Sequence, residues 1–99
     1  MNQIKKIIPI VHLLRRPDPH GVAVISITKG KVSCLYTIME IPCFIGGRGF
    51  AVHRTGMGNL YHVRVGKPID CTCECNGFLY RNTCRHIQSL SALIRAKKL

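Results

Sequence analysis

The sequence predicts an α+β fold with two β-hairpins, then a cysteine-rich loop, then a C-terminal α-helix. Residues 22–65 contain four extended segments that are rich in β-branched residues and separated by glycine-containing turns. Three cysteines and a histidine then fall within residues 73–86. After them, apolar residues recur at the three- and four-residue spacing of an amphipathic helix.

The length and composition predict one folded domain, which we place at residues 21–99. The chain has 99 residues, 46% of them hydrophobic, but no tryptophan. A core of this size stabilises a fold by only about 3–5 kcal/mol, so we expect an additional cross-link. Residues 1–20 are set apart as a basic N-terminal tail or short helix, because near-helical apolar spacing there is interrupted by Pro9.

The four extended segments predict two hairpins. The first pairs residues 22–28 with residues 32–41 across a Lys-Gly-Lys turn, and the second pairs residues 50–54 with residues 60–65 across a glycine-rich turn. Alternation gives the second hairpin one apolar face. Its other face is polar and carries His53, His62 and Arg64. We expect these histidines to be exposed strand residues or to make mild anion contacts, rather than to form a second metal site.

The C-terminal segment predicts one amphipathic helix. Its apolar side consists of Ile87, Leu90, Leu93 and Ile94. Its polar side carries Gln88, Ser91, Arg95 and Lys98. Asn82 or Thr83 can cap the start of the helix, which places the boundary close to Cys84.

A metal site is predicted where two cysteine-containing pairs approach this helix. Cys73 and Cys75 are two residues apart, and so are Cys84 and His86. Three thiolates and one imidazole are a complete ligand set for tetrahedral zinc. Inside a regular helix, side chains two residues apart point about 200° away from each other and cannot bind the same ion. Cys84 must therefore precede the helix, and His86 must lie in its first turn. With all four positions filled by protein, the ion is structural, and we expect no catalytic residue and no enzyme activity.

Cys71 is an alternative ligand, because Cys71 and Cys73 form a second pair with the same spacing. Alternate residues of an extended segment point to the same side, so either pair can grip a metal ion. An iron–sulfur cluster is disfavoured because it usually takes four thiolates. Cys34 and Cys43 are expected to be core residues.

The charge predicts a polyanionic partner. The chain has 15 Lys and Arg against 4 Asp and Glu, for a formal net charge of +11, and such a field favours nucleic acid. The candidate contacts flank the second hairpin and the metal loop; they are Arg48, Arg54, Arg64, Lys67, Tyr80, Arg81 and Arg85. Tyr80 offers a stacking face. The helix has no recognisable base-reading side, so we expect binding that is largely independent of sequence.

Two alternatives remain open from the sequence. The protein can instead be an adaptor for a separate DNA-processing enzyme, docking through residues 1–20. It can also be a secreted disulfide peptide, since it has 6 cysteines. Against secretion, Pro9 and His12 break the first apolar run and no small-residue cleavage site follows it. No run reaches the roughly 18 apolar residues of a membrane span. We therefore expect a reducing, cytoplasmic location, no membrane and no small-molecule substrate.

This region resembles the SWIM-type zinc finger. The resemblance consists of a Cys-x-Cys pair, a gap, and a Cys-x-His pair that leads into an apolar helix. The resemblance covers residues 50–99, and the earlier strands resemble the extra hairpin of small stand-alone bacterial members. An aromatic residue often follows the second ligand by three positions in that family, as Phe78 follows Cys75, so the resemblance favours Cys73 and Cys75 over Cys71. It implies one zinc ion in a ββα arrangement and binding of DNA or protein partners. These 99 residues contain no ATPase or nuclease, so we expect any partner enzyme to be a separate chain, or absent.

Overall fold

The computed structural model describes residues 9–66, 71–81 and 83–99; for Arg81 it describes the backbone only. It contains six strands and two helices. The strands are β1 (Ile10–Arg15), β2 (Val22–Lys29), β3 (Val32–Ile41), β4 (Arg48–Arg54), β5 (Leu60–Val65) and β6 (Thr72–Cys73). The helices are α1 (Asn76–Arg81) and α2 (Arg85–Arg95).

All six strands form one antiparallel sheet in which each strand pairs with its neighbours in sequence, in the order β1 to β6. The two predicted hairpins, β2–β3 and β4–β5, are confirmed, and the sheet with its C-terminal helix agrees with the α+β prediction. The predicted ββα module is not what forms. Pairing of β3 with β4 merges the two hairpins, and α2 packs against β5, β1 and β6 of this larger sheet.

Strand β1 corrects the expectation of a tail or short helix at residues 1–20. Ile10 pairs with Thr28 and Leu13 pairs with Ile25, with an irregularity between Leu13 and Arg15. Val11 and Leu13 are partly buried against the core, so their spacing of two residues decides the local structure rather than the helical spacing. The expectation for residues 1–8 lies outside the described part of the chain.

One face of the sheet is covered by α2 and forms the core. The strands contribute alternate residues to it: Ala23, Ile25, Ile27, Tyr36, Ile38, Phe50, Val52, Val63 and Val65. The helix contributes Ile87, Leu90 and Leu93. Since successive strand residues point to opposite faces, Leu35, Met39 and Leu60 are exposed on the other side.

The two cysteines predicted to be in the core differ. Cys34 is buried, as predicted. Cys43 is only half-buried, and its thiol donates a hydrogen bond to the carbonyl of Gly46 across 3.1 Å, within the connection between β3 and β4. The prediction for Cys43 was therefore wrong: it lies in a loop outside the core cluster.

Helix α2 begins one residue later than the capping signals indicated. Its N-cap is Cys84, in an extended conformation (φ −157°, ψ 170°), with no capping hydrogen bond from a side chain. Thr83 therefore lies outside the cap, and Asn82 lies outside the described residues. Helix α1 was not predicted; its six residues contain a glycine and show no apolar period long enough to signal a helix. Neither helix is long and apolar enough to span a membrane, within the residues described.

Candidate metal centre

The four predicted ligands Cys73, Cys75, Cys84 and His86 converge on one point. Their candidate ligand atoms all lie within 4.8 Å of one another, and all four residues are buried. We call these residues the metal cluster. Cys73 ends β6, Cys75 precedes α1, Cys84 caps α2, and His86 lies in the first turn of α2. Residues from two separate segments thus meet in one place that can hold one metal ion.

The spacing within the metal cluster fits a small tetrahedral ion. His86 Nδ1 lies 3.7 Å from Cys73 Sγ and 3.8 Å from Cys84 Sγ. Around zinc, bond lengths of about 2.3 Å to sulfur and 2.0 Å to nitrogen place such atoms about 3.6 Å apart. The soft donor set of three sulfurs and one imidazole matches the same ion.

The extended backbone of Cys84 explains how ligands two residues apart can face each other. Within a regular helix they would diverge by about 200°. Because Cys84 is the N-cap with φ −157°, its side chain instead turns back towards that of His86. This is the arrangement that the sequence required, and the structure contains it.

The thiols of Cys73 and Cys84 interact directly with each other. The Cys73 thiol donates a hydrogen bond to Cys84 Sγ, which lowers the pKa of Cys84 and raises the pKa of Cys73. Burial opposes the negative charge on both sulfurs, and His86 further lowers the pKa of Cys84. A divalent cation bound here would take the place of the Cys73 proton, because metal ligands must be deprotonated and metal binding releases protons.

Two tyrosines hold the imidazole of His86 in position. The ring of Tyr36 contacts it edge-on at 5.4 Å between centroids, and the ring of Tyr61 lies 5.2 Å away at a tilt of 35°. Tyr36 comes from β3 and Tyr61 from β5. The sheet therefore packs against the ring whose Nδ1 faces the sulfurs.

Cys71 is not part of the metal cluster. It lies half-buried against the core, with Sγ 3.8 Å from the carbonyl oxygen of Gly66. The structure thus brings together Cys73 and Cys75, the pair that was preferred, and leaves the alternative ligand outside. Phe78, the aromatic that favoured this pair, packs partly buried against the core.

We expect Cys71→Ala to keep one equivalent of bound zinc and to lower the free energy of unfolding by about 1 kcal/mol, since it removes one partly buried thiol outside the metal cluster. Cys73→Ala should lose the metal. Elemental analysis after gel filtration measures the bound zinc of both variants, and urea denaturation measures their stability. Equal metal loss in both would mean that the ligand register is wrong.

The residues predicted to contact nucleic acid lie in different parts of the structure. Arg54, Tyr80 and Arg85 line one pocket beside the metal cluster. Arg48 instead forms an ion pair with Glu40, at 2.6 and 2.9 Å. Arg64 donates to the carbonyl of Gly46. Lys67 and the side chain of Arg81 lie outside the described residues.

Lys29 lines the same pocket and was missed by the sequence reasoning. In the sequence, Lys29 is recognisable only as the first residue of the Lys-Gly-Lys turn, which gives no sign of a binding role. The pairing of β2 with β3 and of β3 with β4 carries this end of the hairpin to Arg54. The predicted strand histidines behave as expected in part: His62 is exposed and bonds Glu74, whereas His53 is half-buried on the outer face.

Comparison with protein-family models gave no match, and comparisons with curated proteins and with solved structures gave none either. The function is therefore inferred from the site and its surroundings.

Proposed function

We propose that the metal cluster binds one structural zinc ion and that the protein is a nucleic-acid-binding module of the SWIM type, without catalytic activity. The support for zinc is the buried set of three cysteines and one histidine, with ligand atoms within 4.8 Å of one another. Because four protein ligands complete the tetrahedron, no position remains for a reacting water. When bound, the ion supplies a cross-link between the β6–α1 segment and α2.

One observation favours nucleic acid as the partner: the described carboxylates are all engaged locally. Asp18 accepts backbone N–H groups of His20 and Val22, Glu40 pairs with Arg48, and Glu74 accepts from His62. These are three of the chain's 4 acidic residues, against 15 Lys and Arg; the fourth, Asp70, lies outside the described part. The remaining positive charge is therefore largely uncompensated and attracts phosphates.

The charge distribution predicts salt-dependent, sequence-tolerant binding. We expect zinc-loaded protein to bind labelled DNA at micromolar concentration in about 50 mM salt and to weaken steeply towards about 200 mM. Fluorescence anisotropy with two unrelated sequences measures both the affinity and the slope of log affinity against log salt. Absence of binding at low salt, with one zinc per chain verified in the same sample, would reject the nucleic-acid proposal while leaving the metal proposal standing.

The adaptor alternative has weaker support. It relied on apolar residues within residues 1–20, and one of these, Val11, packs against the core from β1. Removing residues 1–20 would delete an edge strand of the sheet, so loss of a partner after that deletion could reflect misfolding. Deleting only residues 1–8 leaves β1 intact and tests the adaptor role cleanly by co-precipitation.

A further inference from the structure

A pocket of about 500 Å³ opens beside the metal cluster. This volume lies within the range of about 300–1,000 Å³ typical of ligand-binding sites. Cys75, Cys84 and His86 form one side of it. The metal cluster therefore also lines a pocket, to which both α1 and α2 contribute residues.

Three cations from distant parts of the chain meet in this pocket. Lys29 ends β2, Arg54 ends β4, and Arg85 begins α2. Arg85 and Arg54 both lie close enough to the Tyr36 hydroxyl to oppose the rise in its pKa that burial causes. No carboxylate is among the lining residues, and within the described ranges none pairs with these cations. The pocket is therefore built to attract anions.

An exposed aromatic ring stands at the same pocket. Tyr80, on α1, is 87% exposed, which leaves the faces of its ring accessible. Single exposed aromatic residues are common on protein surfaces, and what distinguishes Tyr80 is its place beside the three cations of this pocket. Proteins that bind single-stranded nucleic acid combine a positive groove with such aromatic platforms.

We propose that this pocket binds single-stranded nucleic acid, with backbone phosphates at Lys29, Arg54 and Arg85 and an unpaired base stacked on Tyr80. The inference rests on the proposed nucleic-acid function and specifies its site and its partner. A single strand is favoured over a duplex because duplex bases are already stacked on one another and present no free face to an exposed tyrosine. Because every base has a π-face, the binding is tolerant of sequence.

The first test separates stacking from charge at Tyr80. Zinc-loaded full-length protein is titrated by anisotropy with labelled oligo-dT and oligo-rU of about 12 nucleotides, within the site size of single-strand binders, and with a duplex of equal length. Tyr80→Ala should weaken single-strand binding by roughly five- to a hundredfold, the effect of losing one stacked base. Tyr80→Phe keeps the ring and should bind like the parent, and neither variant should change duplex affinity.

The second test separates the pocket from the overall charge. The double variant K29Q/R54Q removes two pocket cations, and R95Q/K98Q removes two from the exposed C-terminal end of α2 and beyond. The pocket variant should reduce the salt slope for oligo-dT by about 1.4, from about 0.7 per lost phosphate contact. The control should leave the slope unchanged. Arg85 is left intact because it adjoins two metal ligands.

The outcomes distinguish failure of this inference about the pocket from failure of the proposed nucleic-acid function. Nucleic-acid binding that persists with equal affinity in the parent, Tyr80→Ala and K29Q/R54Q proteins overturns the pocket and leaves the proposed function in place. The same holds if the parent prefers duplex, or if the two double variants weaken binding equally. No binding of any oligonucleotide by the zinc-loaded parent overturns both.

Discussion

Replacing His86 with alanine is expected to remove the bound zinc and to lower the free energy of unfolding by at least about 4 kcal/mol, a size that signals loss of a metal site. His86 supplies the only nitrogen of the metal cluster and is buried at 6% exposure between Tyr36 and Tyr61. Without it, three buried sulfurs face a cavity. The β6–α1 segment then loses its link to α2, since few other contacts join them.

Elemental analysis measures the metal, and urea denaturation followed by circular dichroism measures the stability. Strong chelator on the parent protein should reproduce the stability loss, which separates the effect of the ion from that of the ring. Cys43→Ala is the matched control, because it removes a thiol in a loop outside the core and should keep one zinc per chain. Undiminished stability in the metal-free parent would contradict the structural role of the ion.

Replacing Leu90 with alanine is expected to cost about 2–5 kcal/mol, the range for a leucine removed from a tight core. Leu90 is 1% exposed on α2 and packs in the cluster that also contains Phe50 and Val63 of the sheet. The helix and the sheet share this core, so the loss should appear as an earlier but still single unfolding transition, with zinc retained in the folded protein.

Leu79→Ala is the control for this prediction. Leu79 lies on α1 and is 69% exposed, so its loss should change stability by no more than about 0.5 kcal/mol. Tyrosine fluorescence reports mainly the sheet, which carries Tyr36 and Tyr61 of the 3 tyrosines, and circular dichroism at the helix band reports mainly α2, the longer helix. If Leu90→Ala lowered only the helix signal and left the sheet transition in place, the helix would be a separate unit rather than part of one core.

Local sequence patterns were enough for the elements that are regular and self-contained. The β-branched runs of residues 22–41 and 50–65 predicted four strands whose bounds differ from β2 to β5 by at most two residues at any end. The apolar spacing from Ile87 to Ile94 predicted α2. The four residues of the metal cluster were predicted because Cys-x-Cys and Cys-x-His carry their chemistry in residue type and spacing, which need no knowledge of the fold.

The elements that were missed are those whose structure depends on distant partners. Residues 10–15 show both helical and alternating apolar spacing. They form a strand because they pair with the edge of β2. Helix α1 is too short to be stable alone and forms between Cys75 and Cys84 of the metal cluster. Tertiary context overrides weak local preference in both cases.

The sequence alone determined strands β2 to β5, helix α2, a short set of candidate zinc ligands that still included Cys71, and that the chain is strongly basic. Only the tertiary structure decided that two hairpins merge into one sheet and that Lys29, Arg54 and Arg85 share a pocket with Tyr80. The physical reason is that periodicity reports which way a side chain points along its own element. Which element it then faces depends on strand pairing between residues far apart in the chain, and no local pattern records that.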